Sequence, residues 1–425
     1  MKILQGRLSK TKILNSGLLV FLAVLMVYVY EQFLFPTNSY LGVKSLFSVG
    51  FTNYFISLAV GLFFLATLFP KYWKSPSDTF LSIYIIFVCT PHLVLFPIYG
   101  EMPIGIYIYL FNLFPILIVI ALRHLSTKIR FVSSIRVAQL NTNSLILFLI
   151  LISACISIYA ASKGAVSISF EDLSGRRLAA REIFQPGALS SYALQATMNM
   201  CTPLLAFIFF RKGNLLYCLI PIGLSVFFFS LTGVKSVFVV VLFSGMLGYL
   251  DRAGQLAFTS RKILIAYLML ALLAASELYF LDYTFVGDFG LNRLFMKNAL
   301  IQEFYFDLML NSNNLLSGHA NVTYLIGEQY FNNPLTNANT NGFLTTLAGK
   351  GLSAYLLELV VFMGIILVSD LIYKEDKNSL WVMLISVMSF LLVEQKLSII
   401  LGSSGMLMGL GLVFLMSKRE MVNFR

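Results

Sequence analysis

The stretch GLLVFLAVLMVYVY, residues 17–30, decides the fold class of this chain. It contains no charged residue and lies within an apolar run over residues 14–34, which is long enough to cross a bilayer, since one crossing takes about 20 residues. The basic segment MKILQGRLSKTK precedes it, in the order that is typical of a secretory signal peptide. Because no small-residue cleavage site follows and further apolar runs do, we expect a retained first transmembrane helix.

Apolar runs follow along the whole chain and predict an all-α, polytopic integral membrane protein with about 12 transmembrane helices. The predicted spans are residues 14–34, 52–70, 79–98, 104–122, 143–162, 190–210, 214–232, 236–250, 262–281, 351–372, 379–397 and 400–416. The spans on either side of Lys235 form either one hairpin or a broken helix, because the second is short. Pro91 and Pro97 predict a kink in the third span, since proline removes a backbone donor and clashes with the preceding turn.

The composition agrees with a membrane protein and argues against nucleic-acid binding. Of the 425 residues, 58% are hydrophobic and 12% are charged, whereas soluble domains are roughly half apolar and about a quarter charged. The net charge of +11 is divided among short loops between the spans, whereas a nucleic-acid-binding protein collects its basic residues on one surface. The four cysteines lie in apolar runs without metal or disulfide spacing, so we interpret them as small hydrophobic residues.

The basic residues also predict the orientation and two large outer loops. Twelve crossings place both termini on one side, and the loops of that side hold most of the 30 lysines and arginines, so both termini are predicted to be cytoplasmic. The outer loops over residues 163–189 and 282–350 exceed about 15 residues, a length that is usually functional or disordered. The second has too many aromatic residues for disorder, so we expect it to fold as a cap over the outer mouth.

The first outer loop carries cations on the side where the positive-inside rule disfavours them. The stretch FEDLSGRRLAAREIFQPGALSSY, residues 170–192, contains Arg176, Arg177 and Arg181. Arginine binds phosphate through a planar fork of donors, which predicts a diphosphate ligand; solvated loop residues and contacts with lipid phosphates are the alternatives. Lys235, in the stretch FSLTGVKSVFV, lies where two spans meet, and it either lines a polar cavity or reaches water from the turn.

The second outer loop adds charge and groups suited to sugars. Arg293 is a further candidate for the diphosphate. Carbohydrate sites commonly combine amide hydrogen bonds with aromatic platforms, and this loop offers both. The predicted sugar-binding residues are Tyr305, Asn337, Asn339 and Asn341.

Three residues of this loop are candidates for the catalytic base. His319 is the only histidine on the outer side, and its ordinary pKa suits proton transfer at neutral pH. Glu328 and Glu303 are the alternatives. Glu394 and Lys396 end the eleventh predicted span on the same side, and we interpret them either as a local ion pair or as the lining of the same cavity.

No cofactor is predicted. The sequence contains no glycine-rich phosphate loop with its lysine, no His/Cys cluster that would bind a metal, and no nucleophile elbow. Outer-side cations beside a polar, aromatic loop indicate a substrate that brings its own diphosphate and sugars. A polyprenyl-diphosphate-linked glycan fits, because its lipid stays in the bilayer while its head group emerges on the outer face.

The whole chain resembles the bacterial oligosaccharide repeat-unit polymerases, the Wzy-type O-antigen and capsule polymerases. Arg176 and Gly187 enclose ten residues and resemble the Arg-x10-Gly pattern of such loops. The stretch SLTGVKS, residues 230–236, is similar to the family's Thr-Gly-Ser-Arg-like turn, with Lys235 in place of the usual arginine. The stretch from NRLF at 292 through GEQYF at 327 to NANTNGF and GKGLSAYL resembles the family's second loop.

The resemblance implies one GT-C-like transmembrane domain over residues 1–425 in the bacterial inner membrane. It implies a glycosyltransferase that moves the growing glycan from undecaprenyl diphosphate to the non-reducing end of a lipid-linked repeat unit at the periplasmic face. Such an enzyme needs neither a nucleotide sugar nor a metal. Its partners are the lipid-linked donor and acceptor, with a chain-length regulator as a further candidate. The outer cations would stabilise the leaving diphosphate.

Three other functions are open. An O-antigen ligase shares the architecture and the donor but transfers the glycan to lipid A-core. A flippase or other transporter often shows internal repeats with a binding site at mid-membrane, and neither feature is present in the sequence. A dolichol-phosphate-sugar-type transferase would have an acidic pair in its first outer loop, whereas FPTNSYLGVKS, residues 35–45, contains no acid.

Overall fold

A computed structural model describes residues 2–99, 102–129, 141–163, 173–185, 187–311, 322–334 and 336–417. Within these residues every element of regular secondary structure is a helix, which confirms the predicted all-α class. The α-helices are α1 (Lys2–Val29), α2 (Phe35–Asn38), α3 (Phe51–Leu68), α4 (Pro76–Tyr84), α5 (Thr90–Leu95), α6 (Met102–Lys128), α7 (Thr142–Lys163), α8 (Leu173–Ile183), α9 (Leu189–Ala196), α10 (Thr202–Lys212), α11 (Leu215–Thr232), α12 (Ser236–Arg252), α13 (Thr259–Leu281), α14 (Asn298–Asn311), α15 (Val322–Phe331), α16 (Gly342–Asp376), α17 (Leu380–Leu392), α18 (Leu397–Leu401) and α19 (Met406–Met416).

Nine helical segments of the described chain are long and apolar enough to cross a membrane, so the protein is a multi-pass membrane protein. They are Ile13–Thr37, Phe51–Leu68, Pro76–Leu95, Ile104–Lys128, Thr142–Lys163, Leu189–Lys212, Leu215–Thr232, Leu256–Leu281 and Gly342–Asp376. The other three predicted spans coincide with the shorter helices α12, α17 and α19. The prediction of about 12 spans therefore corresponds to nine long helical segments and three shorter helices.

The described helices belong to two compact units. The first unit comprises Met1–Leu125, Phe258–Leu367 and Leu391–Leu397, and the second comprises Ser126–Ala257, Val368–Phe390 and Ser398–Arg425. The sequence predicted one transmembrane domain without such a division, because the chain passes from one unit to the other inside helices such as α6 and α16 rather than at a recognisable linker.

Three of the long segments contain the same local feature, a five-residue π-helical turn followed by a residue–proline pair. The turns are Tyr30–Leu34 before Pro36, Ile85–Cys89 before Pro91 and Thr197–Cys201 before Pro203. The wider turn accommodates the missing donor and the bulk of the proline ring. At Pro91 the structure has this π-helical turn, whereas Pro97 lies in a turn beyond the end of α5 and so is not inside the helix.

The described part of the predicted second outer loop is largely helical. A π-helix over Gly287–Lys297 continues directly into α14, and α15 and the first residues of α16 follow. Apolar side chains of this stretch, including Phe295, Leu300 and Phe304, are fully buried, so the loop is packed. The element α16 consists of two helices that meet at a kink, because Gly351 has a non-helical backbone with φ of 81°. The first helix starts at Gly342, where Asn341 Oδ1 accepts the backbone N–H of Phe343, and the tenth predicted span, 351–372, coincides with the second.

Candidate functional site

Helix α8 of the predicted first outer loop packs on α11 in the second unit. Ile183, the last residue of α8, is partly buried, and Phe184 after it is buried. Both pack into an apolar cluster whose other buried members are Ala160, Leu194, Met198, Phe228, Leu231 and Val237. These contacts fix the position of a helix that is itself polar and carries the predicted arginines.

Two arginines of α8 lie against the C-terminal end of α11. Arg176 Nη1 donates to the carbonyl oxygen of Ser230 at 3.5 Å, and Arg177 Nε donates to the carbonyl oxygen of Gly233 at 3.3 Å. The Arg176 guanidinium also lies over the ring of Phe229, 5.6 Å from its centroid. The last carbonyls of a helix carry partial negative charge, so these contacts are electrostatically favourable.

The turn that receives these arginines is the one that contains Lys235. Gly233 takes a left-handed conformation with φ of 64°, which allows α11 to stop and the chain to reverse into α12. The Thr232 hydroxyl donates to the carbonyl oxygen of Phe228 at 2.7 Å and closes the last turn of α11. α11 and α12 then pack on each other, so the two spans around Lys235 form a hairpin rather than a broken helix. Lys235 precedes α12 and is exposed.

The structure therefore brings two distant segments of sequence together. We call Arg176, Arg177 and Lys235 the cationic cluster. Arg177 and Lys235 are exposed, and Arg176 is partly buried. Arg181 belongs to the same helix, but its side chain lies outside the part of the chain that the structure describes.

Arg293 belongs to the first unit and has a different partner. Its Nε forms an ion pair with Glu394 Oε1 at 3.2 Å, and both side chains are about half exposed. Lys297 follows one turn later, and burial together with the positive charge of Arg293 lowers its pKa, while Asp288 opposes the shift. Both cations lie on the π-helix over Gly287–Lys297, a conformation that is rare at this length and is frequent at functional sites.

Lys396 does not form the ion pair with Glu394 that was one of its two predicted roles. Glu394 pairs with Arg293, whereas Lys396 is half buried beside Lys350 and Glu358. Burial and then the positive charge of Lys350 lower the pKa of Lys396, and Glu358 opposes the shift. The predicted eleventh span ends too late, because α17 stops at Leu392 and both residues lie in the turn beyond it.

The four predicted sugar-binding residues divide into two pairs. Tyr305 is fully buried, and its hydroxyl donates to the carbonyl oxygen of Ala338 at 3.2 Å. Asn341 is also fully buried, and its amide donates to the Tyr84 hydroxyl at 2.7 Å. Both hold the loop in place. The other pair is partly exposed and consists of Asn337 and Asn339.

Asn341 belongs to a buried polar network that the sequence analysis missed. Its amide also donates to Asn112 Oδ1 at 2.6 Å, and the Asn112 amide donates to Gln302 Oε1 at 2.8 Å. A buried polar group is costly unless it is hydrogen-bonded, so the network joins α4, α6, α14 and the start of α16 specifically. An asparagine in the middle of an apolar span, such as Asn112, was the signal that could have indicated it.

The three candidate bases differ in exposure. His319 lies outside the described residues. Glu328 is exposed on α15. Glu303 is fully buried, and its two carboxylate oxygens have no hydrogen-bond partner among the described residues. Burial, with a smaller contribution from Asp307, raises the pKa of Glu303 well above its usual range, which favours the protonated carboxyl over a base.

The described residues contain no group of three or more His, Cys, Asp or Glu side chains that could hold a metal ion. Comparisons of this chain with models of known protein families, with curated proteins and with solved structures give no match. Function is therefore inferred from the residues and their geometry.

Proposed function

We propose that this protein is a glycan polymerase of the bacterial inner membrane, with both termini in the cytoplasm. It transfers a growing glycan from undecaprenyl diphosphate to the non-reducing end of a lipid-linked repeat unit at the periplasmic face. The observation that carries the proposal is the cationic cluster, in which Arg176 and Arg177 of one loop meet the turn of Lys235. The two segments are among the three whose sequences resemble the Wzy-type polymerases.

The position of the cluster supports a lipid-linked diphosphate as its ligand. Its residues lie at the end of α11, which is one of the nine segments able to cross a membrane. The phosphates of a polyprenyl diphosphate lie at the membrane surface, because the polyprenyl chain stays in the hydrocarbon. A bidentate arginine fork suits such phosphates, and an exposed lysine adds a point charge.

In the proposed reaction, an acceptor hydroxyl oxygen attacks the anomeric carbon of the donor sugar and forms the new glycosidic bond. The bond between that carbon and the diphosphate oxygen breaks, and its electron pair leaves with the diphosphate. The cationic cluster stabilises the negative charge that develops there, a type of interaction that is often the largest single contribution to catalysis. The hydroxyl proton passes to a base. His319 and Glu328 remain predicted candidates for this base. A contact of Arg293 with the diphosphate also remains a prediction.

The arrangement has a purely structural interpretation as well, since cations stabilise helix C-termini without any ligand. An assay in which purified protein is supplied with lipid-linked repeat units distinguishes a polymerase from a transporter and from a ligase. A polymerase forms longer lipid-linked glycans, which are visible as a ladder on a gel. Absence of any new glycosidic bond from correctly folded protein would refute the proposal and would be the result expected of a transporter. A ligase would instead require lipid A-core as the acceptor.

A further inference from the structure

The first unit contains an open apolar groove that the proposed function does not use. It lies between α1 and α3 and has a volume of about 840 Å³. Leu58 and Leu62 are buried and form its floor, whereas Val20, Val24 and Phe63 are exposed and form its rims. Because α1 and α3 are successive membrane-spanning segments, the groove faces the bilayer rather than water.

The small and large side chains along α3 explain why the groove exists. Ala59 and Ala66 line it and leave space between the larger side chains of Phe55, Leu62 and Phe63. The lining on α3 runs from Phe55 to Thr67, and the twelve steps between these residues span about 18 Å of helix. This length covers more than half of a hydrocarbon core of about 30 Å, so an extended acyl chain can lie along it.

The polar residues of the groove are collected at one end. Successive spans run in opposite directions, so the start of the membrane-spanning segment Ile13–Thr37 lies beside the end of α3. Ser16 of α1, Thr67 of α3 and Lys71 just beyond α3 are the polar lining residues, and all three are at this end. The remainder of the lining is apolar. The groove therefore has one cationic, polar end and an apolar body, which matches the polar head group and the apolar acyl chains of a phospholipid.

The polar end is also an interfacial segment of the chain. Lys71 and Tyr72, which are partly exposed, and Lys74, which is exposed, lie between two membrane-spanning segments, and aromatic and basic residues are typical anchors at the level of lipid head groups. Lys71 has no ion-pair partner among the described residues. The nearest acid in the sequence, Asp78, forms an ion pair with Arg123 instead. The local charge is therefore positive and complements an anionic head group.

We propose that the groove between α1 and α3 binds an anionic phospholipid of the bilayer, with an acyl chain between the two helices and the head-group phosphate on Lys71. Basic pockets between membrane helices bind anionic head groups in this way. The binding site is independent of the proposed glycan transfer, because none of its residues belongs to the cationic cluster.

The test uses the purified full-length protein, depleted of lipid in detergent. Native mass spectrometry counts bound molecules as dioleoyl phosphatidylglycerol or the zwitterionic dioleoyl phosphatidylcholine is added. Lys71→Gln removes the cation at the polar end, and Lys74→Gln removes an exposed cation of the same segment that does not line the groove. Ala59→Phe fills the groove, and Val60→Phe adds the same bulk on an exposed position outside it.

The wild type is expected to bind phosphatidylglycerol more tightly than phosphatidylcholine. Lys71→Gln should weaken phosphatidylglycerol binding about fivefold, the effect of one basic residue near an anionic surface. Lys74→Gln and Val60→Phe should bind as the wild type does, whereas Ala59→Phe should lose both lipids. Equal affinity of the wild type for the two lipids would overturn the proposal. So would equal effects of Lys71→Gln and Lys74→Gln, or equal effects of Ala59→Phe and Val60→Phe. Thermal unfolding of each variant confirms that it is folded.

Discussion

Arg177 Nε donates a hydrogen bond to the carbonyl oxygen of Gly233 at 3.3 Å, which joins two segments that are 56 residues apart in the sequence. Gly233 is the left-handed residue at which α11 ends, and Lys235 follows two residues later. Three cations thus lie around one turn at the end of a membrane-spanning helix. The proposed function assigns this arrangement to the diphosphate of a lipid-linked glycan.

The cationic cluster predicts a specific loss of polymer. Arg177→Gln and Lys235→Gln keep much of the side-chain length but remove the charge that, in the proposed function, stabilises the leaving diphosphate. We expect the elongation rate of the purified protein to fall by about 10²–10³-fold, as is typical when one such contact is lost. The control is Lys212→Gln, which removes an exposed cation at the end of α10 in the same unit. Equal activity of Lys212→Gln and the two cluster variants would contradict the prediction.

Asn341 is predicted to contribute to stability. Its replacement by alanine removes the donor to the Tyr84 hydroxyl oxygen and to Asn112 Oδ1, both of which are buried. We expect Asn341→Ala to lower the free energy of unfolding by about 1–3 kcal/mol, as is usual for buried groups that lose a hydrogen bond. Thermal unfolding measures the effect. Asn339→Ala changes a partly exposed asparagine two residues earlier and should be close to neutral, so equal effects of the two variants would count against the network.

Two glycines of α16 are predicted to respond to alanine in opposite ways. A Cβ at Gly342 would overlap the carbonyl oxygen of Gln395, whereas a Cβ at Gly364 would meet no atom within 4 Å. Gly342→Ala should cost about 1–3 kcal/mol through overpacking. Gly364→Ala should be neutral or should stabilise the helix by up to about 1 kcal/mol. Thermal unfolding of both variants checks the signs, and a stable Gly342→Ala protein would show that this close approach does not exist.

The buried carboxyl of Glu303 predicts that the stability of the folded protein depends on pH. An acid whose pKa is raised by burial keeps its proton to a higher pH in the folded state than in the unfolded chain. Folded protein therefore loses stability as the pH rises from the unfolded pKa through the folded pKa. Glu303→Gln should unfold at a higher temperature than the wild type at neutral pH, and the difference should close as the pH falls below the unfolded pKa of glutamate.

The control for this measurement is Glu328→Gln, because Glu328 is exposed on α15. Its thermal unfolding should follow that of the wild type across the same pH range. A difference between Glu303→Gln and the wild type that does not change with pH would contradict the proposed protonation of Glu303.

The membrane fold was predictable because each span is a long apolar run, and burial in lipid requires such runs whatever the tertiary structure. Element ends were less predictable. The start of α16 at Gly342 depends on the capping amide of Asn341, which hydropathy does not reveal. The π-helical turn before Pro203 was missed because proline in a span predicts strain and does not indicate how the backbone accommodates it.

The candidate site was predictable only in part. The positive-inside rule marks Arg176, Arg177 and Lys235 as unusual for the predicted outer side. The sequence does not show that their two segments come together, because that depends on how α8 packs against α11. The pairing of Glu394 with Arg293 rather than with its neighbour Lys396 depends on tertiary structure in the same way. Local spacing could not distinguish these partners, because residues in turns have no fixed periodicity.

The most direct test of the central claim is binding of undecaprenyl diphosphate to the purified protein, measured for the wild type and for Arg177→Gln with Lys212→Gln as the control. We predict that the wild type and Lys212→Gln bind the lipid with equal affinity and that Arg177→Gln binds it at least tenfold more weakly while remaining folded. Equal affinity of all three proteins would contradict the assignment of the cationic cluster to the diphosphate.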